Sequence, residues 1–355
     1  MRTNTIRENF FNWGVIEMSS TIGVGVIGCG NMGRRHSRLL SRMDEVRMRG
    51  FADISQERAE QLCREVNGEY ATGDVDKLLD DPNIDLVLIC THHDSHAPLC
   101  IQAAEAGKHI FVEKPLALTI EECLAIERAV ASADIKLMVG FQARFSPFVH
   151  KLKEVIPKPL VTIGQLTDPR WHDTIWANDP HKGGGNILSQ GCHCFDLVYW
   201  FNECEPIAIY AEGGNFLHPT LPITDSIVAT LRFESSAVAS VIIGDFGHNP
   251  FTGKAFYELF DGARTGTLYG YYADPALRFW GADIEEFTIE NLPENERDRD
   301  HSLGYVQMLQ AMVAWVKDDT EPIAAAKVRD GTRATLLGLK AIEAVKTHTP
   351  QSVWE

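Results

Sequence analysis

No two of the eight cysteines stand in a Cys-x-x-Cys spacing, and the chain has neither an internal repeat nor a low-complexity tract. No apolar stretch approaches the eighteen or so residues of a membrane span. Paired-thiol redox chemistry and zinc ribbons lose their usual motif, and free thiols in a reducing cytoplasm are expected. Cys192-His193-Cys194 does not restore a metal reading, because alternate positions on a helix point away from each other. Positive charge is scarce as well: 33 Lys and Arg face 49 Asp and Glu, a formal charge of −16. Such a surface repels nucleic acid and anionic membrane, so a neutral small molecule is the expected partner. With 355 residues, 45% of them hydrophobic, the chain is long enough for two packed cores. Residues 1–20 lack a small-residue cleavage pattern and read as an N-terminal extension or upstream start rather than a signal peptide.

What the chain does have is a glycine turn. Gly28 to Gly33 read GCGNMG after the apolar run 22–27, and Asp53 stands twenty positions beyond Gly33, closing a second apolar run. Gly28 permits the strand-to-helix turn, Gly30 lets the main chain approach a pyrophosphate, and Gly33 lets the helix lie close to the strand. Asn31 and Met32 complete the cradle, with the phosphates on a helix N-terminus. The Asp53 carboxylate accepts both ribose hydroxyls of NAD, whereas a 2′-phosphate about 4 Å away would be repelled by about 4 kcal/mol per unit charge at an effective dielectric of about 20. NAD is therefore favoured over NADP, with Arg58 a weak counter-argument.

Strands are predicted at 22–27, 47–52, 85–90, 109–113 and 136–141, and helices at 31–43, 55–66, 96–106 and 119–133, the last opened by a Thr119/Glu122 capping box. Apolar strands separated by helices indicate a parallel sheet covered on both faces, which binds ligands beyond the carboxyl ends of its strands. Beyond residue 142 the rhythm changes. Ile227 to Phe233 alternates, and Ala237 to Ile243 follows after three residues, which reads as a hairpin. Further strands are predicted at 160–167, 206–212, 256–260 and 265–269, and helices at 186–202, 303–317 and 331–346. The expected architecture is an α/β dinucleotide-binding domain over 21–141, then an α+β domain over 142–355 with a large, mainly antiparallel open sheet. The last two helices are candidates to pack back on the first domain. An open sheet needs its second face covered, so a homodimer or homotetramer is expected.

Lys114 closes the apolar strand HIFVEKP, on the same rim as the glycine turn, and Pro115 biases it to an extended conformation. With that residue in place, GCGNMG plus Asp53, THHDSH (91–96), EKP (113–115), GFQARF (140–145) and GGGNILSQGCHCFD (183–196) resemble the successive motifs of the Gfo/Idh/MocA family, the glucose-fructose oxidoreductase and inositol dehydrogenase group. The resemblance covers about residues 20–350. It implies a Rossmann domain and NAD(P)-dependent oxidation or reduction of a hydroxyl on a sugar, sugar derivative or cyclitol. By motif, Lys114 corresponds to the family's active-site lysine and His193 to its histidine. Histidine titrates at about 6.5 and lysine at about 10.4, so His193 is the easier proton acceptor and Lys114 the likelier donor that polarises the substrate oxygen. Where inositol-dehydrogenase-like members carry aspartate four residues before the histidine, this chain has Ser189, which cannot hold charge beside an imidazolium.

Thr91, His92, His93 and His96 are expected at the nicotinamide ribose; the histidines' place at the cofactor rim favours ribose and phosphate contact, or helix capping by Asp94 and Ser95, over the metal ligation that their crowding in one loop leaves open; Glu113 and Gln142 join the cofactor contacts. Arg144 either touches substrate or forms an ion pair between domains. Gln190 either contacts substrate beside Ser189 or lies on the surface. Trp171 and Trp176 form either a wall for sugar C–H faces or part of the core. Asp196 either orients His193 or caps a neighbouring structure. Two other functions remain open at this point: a glycoside-cleaving enzyme that retains NAD and works by transient oxidation and elimination, and a non-enzymatic NAD- or sugar-binding regulator.

Overall fold

The computed structural model describes residues 21–354, so the expected extension at 1–20 lies outside the described residues. The first half alternates β1 (Ile22–Ile27), α1 (Asn31–Leu40), β2 (Val46–Ala52), α2 (Gln56–Glu65), β3 (Tyr70–Thr72), α3 (Val75–Leu79), β4 (Leu86–Ile89), α4 (His96–Glu105), β5 (His109–Val112), α5 (Ile120–Ala133) and β6 (Leu137–Val139). The six strands form one sheet in the order β3-β2-β1-β4-β5-β6, and every pair is parallel. β1 and β4 are wholly buried, as unbroken apolar runs require. The strand order reverses between β1 and β4, which opens a crevice beyond their carboxyl ends. β3 and α3 escape the sequence reading because elements of three and five residues carry too little periodicity.

α6 (Pro147–Val155) leads into the second half, where β7 (Val161–Thr167), α7 (Asn186–Ser189), α8 (Gly191–Asn202), β8 (Pro206–Gly214), β9 (Ser226–Phe233), β10 (Val238–Gly244), β11 (Ala255–Phe260), β12 (Thr265–Tyr269), β13 (Ala276–Trp280) and β14 (Glu286–Phe287) follow. α9 (Arg299–Ser302), α10 (Tyr305–Asp318), α11 (Val328–Thr347) and β15 (Gln351–Ser352) complete the chain. Nine strands form the second sheet in the order β14-β13-β12-β11-β7-β10-β9-β8-β15. The expected hairpin is β9–β10, and its pairing is antiparallel. β7 and β10 run parallel at the centre, the one exception to antiparallel pairing in this sheet. α8 covers one face; the other carries Val161, Val228, Val238 and Phe260 partly or fully exposed.

α10 packs against α1 and β1, and α11 against α5, β6 and α8. The closing helices thus bridge both sheets. Val139 N–H donates to Ala326 O at 2.8 Å, and Thr335 Oγ1 to Ala117 O at 3.3 Å. Arg144, on the short turn after β6, fastens the junction. Its Nε and Nη2 donate to Asp196 of α8 at 2.6–3.1 Å, and Nη2 lies 3.3 Å from Asp330 of α11. The guanidinium is 2% exposed. Burial pushes the Asp196 carboxyl up to about 6 even though Arg144 pulls it down, and Asp330 is held low by Arg144 and Arg333 against its own desolvation. The expectation of substrate contact by Arg144 is thereby corrected, because a buried cation must spend its donors on its counter-ions. The same pair places Asp196 with Arg144 rather than with His193.

Arg144→Met, which strands a buried carboxylate, is expected to cost about 3–5 kcal/mol in denaturant unfolding, and Arg144→Met with Asp196→Asn should recover part of that loss. An unchanged midpoint in the single variant would remove Arg144 from the junction.

Candidate active site

The glycine turn has the geometry its sequence demands. Gly28 sits at φ +93°, where a side chain would strike the Cys90 carbonyl at 2.6 Å. A Cβ on Gly33 would lie 2.0 Å from Gly28 O, so only glycine lets α1 approach β1 this closely. At Gly30 a Cβ would meet nothing within 4 Å, which leaves the main chain beside the N-terminus of α1 open to an incoming anion. Asn31 is exposed and Met32 half-buried on that first turn.

Asp53 stands beyond β2 on the same rim. Its Oδ2 accepts the N–H of Cys29 within the glycine turn and its Oδ1 the N–H of Ser55, both at 2.8 Å. The carboxylate is locked to the turn and keeps further lone pairs for ligand hydroxyls. Arg58 lies 3.7 Å from it with a largely exposed side chain. These features fit a dinucleotide: a phosphate cradle free of side chains, a helix N-terminus and a fixed ribose acceptor on one edge.

The loop after β4 faces the second half of the chain. His93 Nδ1 donates to Gly183 O at 2.9 Å, Asp94 N–H to Lys182 O at 3.2 Å, and His96 Nδ1 to Pro115 O at 2.8 Å. Trp176 stacks on His92 with ring centroids 4.2 Å apart and meets His93 edge-on at 4.7 Å. The indole therefore bridges the two halves, half-buried, while Trp171 is half-buried on the same loop without a ring partner among the described residues. Capping by Asp94 and Ser95 is corrected: the Ser95 hydroxyl donates to Thr91 Oγ1 at 2.7 Å and His92 O at 2.8 Å, and α4 has no side-chain cap.

Glu113 turns inward as well, contrary to its expected cofactor contact. It is 6% exposed and accepts from His36 Nε2 at 2.7 Å. A buried carboxylate at the end of β5 needs a partner, and α1 supplies it. Desolvation raises its pKa, but the His36 bond and the Lys114 charge outweigh that and hold it below the ordinary range. Gln142, 2% exposed, leaves its amide nitrogen without a hydrogen-bond partner.

Lys114 and His193 converge on a break in a helix. A continuous helix was expected over 186–202, but Gln190, at φ −112° and ψ −39°, separates α7 from α8. His193 N–H therefore bonds Gln190 O at 3.0 Å instead of the Ser189 carbonyl four residues back. That carbonyl is freed, and Lys114 Nζ donates to it at 2.9 Å. Ser189 thus contributes its main chain rather than its hydroxyl. The His193 ring is 6% exposed, packs edge-on against Phe141 at 5.7 Å, and leaves Nδ1 unpaired. Burial foremost, then the Lys114 and Lys254 charges, hold its pKa well below the ordinary 6.5. The imidazole is neutral near pH 7 and available to accept a proton.

Sequence reasoning missed Lys254 and Asp168. Lys254 Nζ lies 2.7 and 2.9 Å from the Asp168 carboxylate oxygens, 3.3 Å from Gln190 Oε1, and 5.0 Å from the centroid of Tyr272. The only signal was positional: Asp168 follows β7 and Lys254 precedes β11, neighbouring strands in the sheet.

Residues 22–141 match the family described as "Oxidoreductase family, NAD-binding Rossmann fold", and residues 156–252 match the GFO/IDH/MocA C-terminal domain. An uncharacterised oxidoreductase of Bacillus subtilis is 32% identical over 235 residues, 63% of this chain and 67% of that protein. A myo-inositol 2-dehydrogenase of Thermotoga maritima is 27% identical over 348 residues, 90% of this chain and 94% of that one. A levoglucosan dehydrogenase solved with NADH and levoglucosan superposes with a TM-score of 0.82 at 22% identity, covering 95% of this chain and 100% of that one, a likeness of fold. The chain belongs to the Gfo/Idh/MocA oxidoreductases, with NAD as its cofactor.

Asp53→Ala removes the ribose acceptor and loosens the turn it holds, so NAD affinity should fall about 10-fold or more while the preference over NADP narrows, read by NADH fluorescence titration. A variant that binds NAD as tightly as before would rule Asp53 out as the discriminating group.

Proposed function

We propose that the protein is a cytoplasmic NAD-dependent dehydrogenase of a sugar, sugar derivative or cyclitol, with residues 21–141 holding the cofactor and 142–355 shaping the substrate pocket. One observation carries this reading: Lys114 from the cofactor rim and His193 from α8 meet at the Ser189–Gln190 break. The likeness to a myo-inositol 2-dehydrogenase over nine-tenths of the chain supports the substrate class.

Gly28, Gly30, Asn31, Met32 and Gly33 would cradle the pyrophosphate, and Asp53 the adenosine ribose. Thr91, His92 and the unpaired Gln142 amide would lie towards the nicotinamide end, whereas His93 and His96, expected there too, are buried and spend ring nitrogens on the carbonyls of Gly183, Pro115 and Thr91. Bound there, NAD would supply the acceptor for the hydride of the carbinol C–H bond. This chain's residues manage the proton. Lys114, fixed by the Ser189 carbonyl, donates a hydrogen bond to the substrate oxygen and stabilises charge developing there. His193, neutral before reaction, takes the hydroxyl proton as the C=O bond forms. An imidazolium beside two ammonium groups is costly, so the proton is passed on rather than stored. Trp171 and Trp176 would supply the apolar side of the pocket.

Among the described residues no helix is long and apolar enough to cross a membrane, and all eight cysteines are free, which suits the proposed compartment. The apolar outer face of the nine-stranded sheet suits a second copy, giving a homodimer or homotetramer.

An NADH-absorbance screen of monosaccharides, anhydrosugars and inositols tests the reading. Lys114→Met and His193→Asn should each lose at least about 100-fold in kcat. Because His193 loses its proton below its ordinary pKa, kcat/KM should hold through about pH 6.5 and fall only at lower pH. An acid limb centred at or above that value would assign the proton to another group.

A further inference from the structure

Lys254 satisfies none of the conditions of a solvated surface lysine. Its side chain is 20% exposed, its ammonium contacts both Asp168 oxygens, and it lies over the Tyr272 ring. Asp168 is 9% exposed in its side chain and, among the described residues, accepts a side-chain hydrogen bond from Lys254 alone. An isolated buried pair of this kind contributes little to stability, since desolvation cancels most of its Coulomb energy. Its position is more telling. Lys254 reaches Gln190 Oε1, Lys114 reaches Ser189 O, and His193 N–H reaches Gln190 O. Two ammonium groups are thus anchored on two consecutive residues, one helical turn before His193.

The hydrogen-bond inventory leaves room for a ligand. An ammonium has three donors; the two Asp168 oxygens and Gln190 Oε1 take them, and the Gln190 contact, the longest at 3.3 Å, is the one a ligand oxygen would most readily replace. The Asp168 carboxylate keeps lone pairs, and the Gln190 amide nitrogen has no partner among the described residues. Gln142 leaves a second amide donor buried without a hydrogen-bond partner. Buried polar groups without partners in a free enzyme are the usual mark of a place where a ligand brings its own. Donor and acceptor side by side match two hydroxyls on adjacent carbons, one accepting and one donating.

We propose that Lys254 and Asp168 are the specificity-determining pair of this site: the ammonium donates to one hydroxyl of the substrate and the carboxylate accepts from the hydroxyl on the neighbouring carbon, so the enzyme recognises a vicinal diol. The pair holds the ring while Lys114 and His193 act on the carbinol. It takes no proton and forms no bond in the reaction. The inference rests on the polyol-dehydrogenase reading above, and its test is chosen to fail separately from it.

Calorimetric titration of myo-inositol, scyllo-inositol, levoglucosan and D-glucose into the NADH-loaded protein compares wild type with Lys254→Met, Lys254→Arg and Asp168→Asn. Lys254→Met and Asp168→Asn should weaken whichever polyols bind by at least about 10-fold, while NADH affinity stays within about 2-fold. In turnover with NAD, KM should rise similarly with kcat changed by less than about 3-fold, and Lys254→Arg should restore part of the affinity. Polyol affinity unaltered in both variants overturns the proposal. So does a kcat loss at constant KM, which would make Lys254 a proton carrier, a parallel loss of NADH affinity, which would make the pair structural, or the absence of polyol binding by wild type. Polyol binding that depends on Lys254 without NADH formation in any assay would sink the dehydrogenase reading and leave the pair standing.

Discussion

The hydrogen bond from Lys114 to the Ser189 carbonyl is the constraint on which the site depends. It exists because the helix fails at Gln190. In a continuous helix that carbonyl belongs to the N–H of residue 193, and a lysine arriving from β5 finds no acceptor on the helix wall. Breaking the helix there sacrifices the intrahelical bond to the Ser189 carbonyl and gains an anchor joining the two halves of the chain. Gln190 presents its side chain to Lys254. A local defect thus gathers Lys114, His193 and Lys254 from the ends of β5, α8 and β11.

Such an arrangement concentrates positive charge in a protein whose formal charge is −16. The two charge statements answer different questions. Net charge governs what approaches the surface, whereas the site is governed by groups partly withdrawn from water, where interactions are several-fold stronger. Lys114 and Lys254 each disfavour protonation of His193, and burial disfavours it most. Asp168 offsets one ammonium, which keeps the cluster from expelling its own members. What remains is ammonium charge facing a neutral imidazole, an electrostatic setting suited to an oxygen that gains negative character as its proton leaves.

The features legible in the sequence were those with local causes. The glycine turn was readable because Gly28 and Gly33 are demanded by contacts within a few residues, and β1 and β4 because burial on both faces leaves an unbroken apolar run. The β9–β10 hairpin declared itself through alternation. The partners of the polar residues were not readable. Arg144, Glu113 and Lys254 each find a polar partner 52, 77 or 86 residues away, and a single sequence has no register for such distances. Motif position identified Arg144 and Glu113 as belonging near the site, but only packing decides whether a side chain there faces the ligand or its own support. The break at Gln190 was equally hidden, since 186–202 contains no proline and its Gly191 alone is tolerated in helices.

A site built from so many segments has to be held against their independent motion, and the side facing the tryptophans is held by polar contacts rather than apolar packing. His218, with its side chain wholly buried, lies 2.8 Å from Asp173 and 3.0 Å from Asp245 through its two ring nitrogens. Asp245 in turn accepts from Asn186 at the start of α7. The loop bearing Trp171 and Trp176 is therefore tied through one imidazole to the end of β10 and on to the helix that breaks at Gln190. Burial raises the Asp245 carboxyl to about 6. A directional network fixes distance and angle where a greasy contact would allow sliding, at the cost of desolvating His218 and Asp245. Placing such a network beside Lys254 and Asp168 makes sense only if the geometry of that wall matters more to the protein than the stability an apolar wall would have supplied.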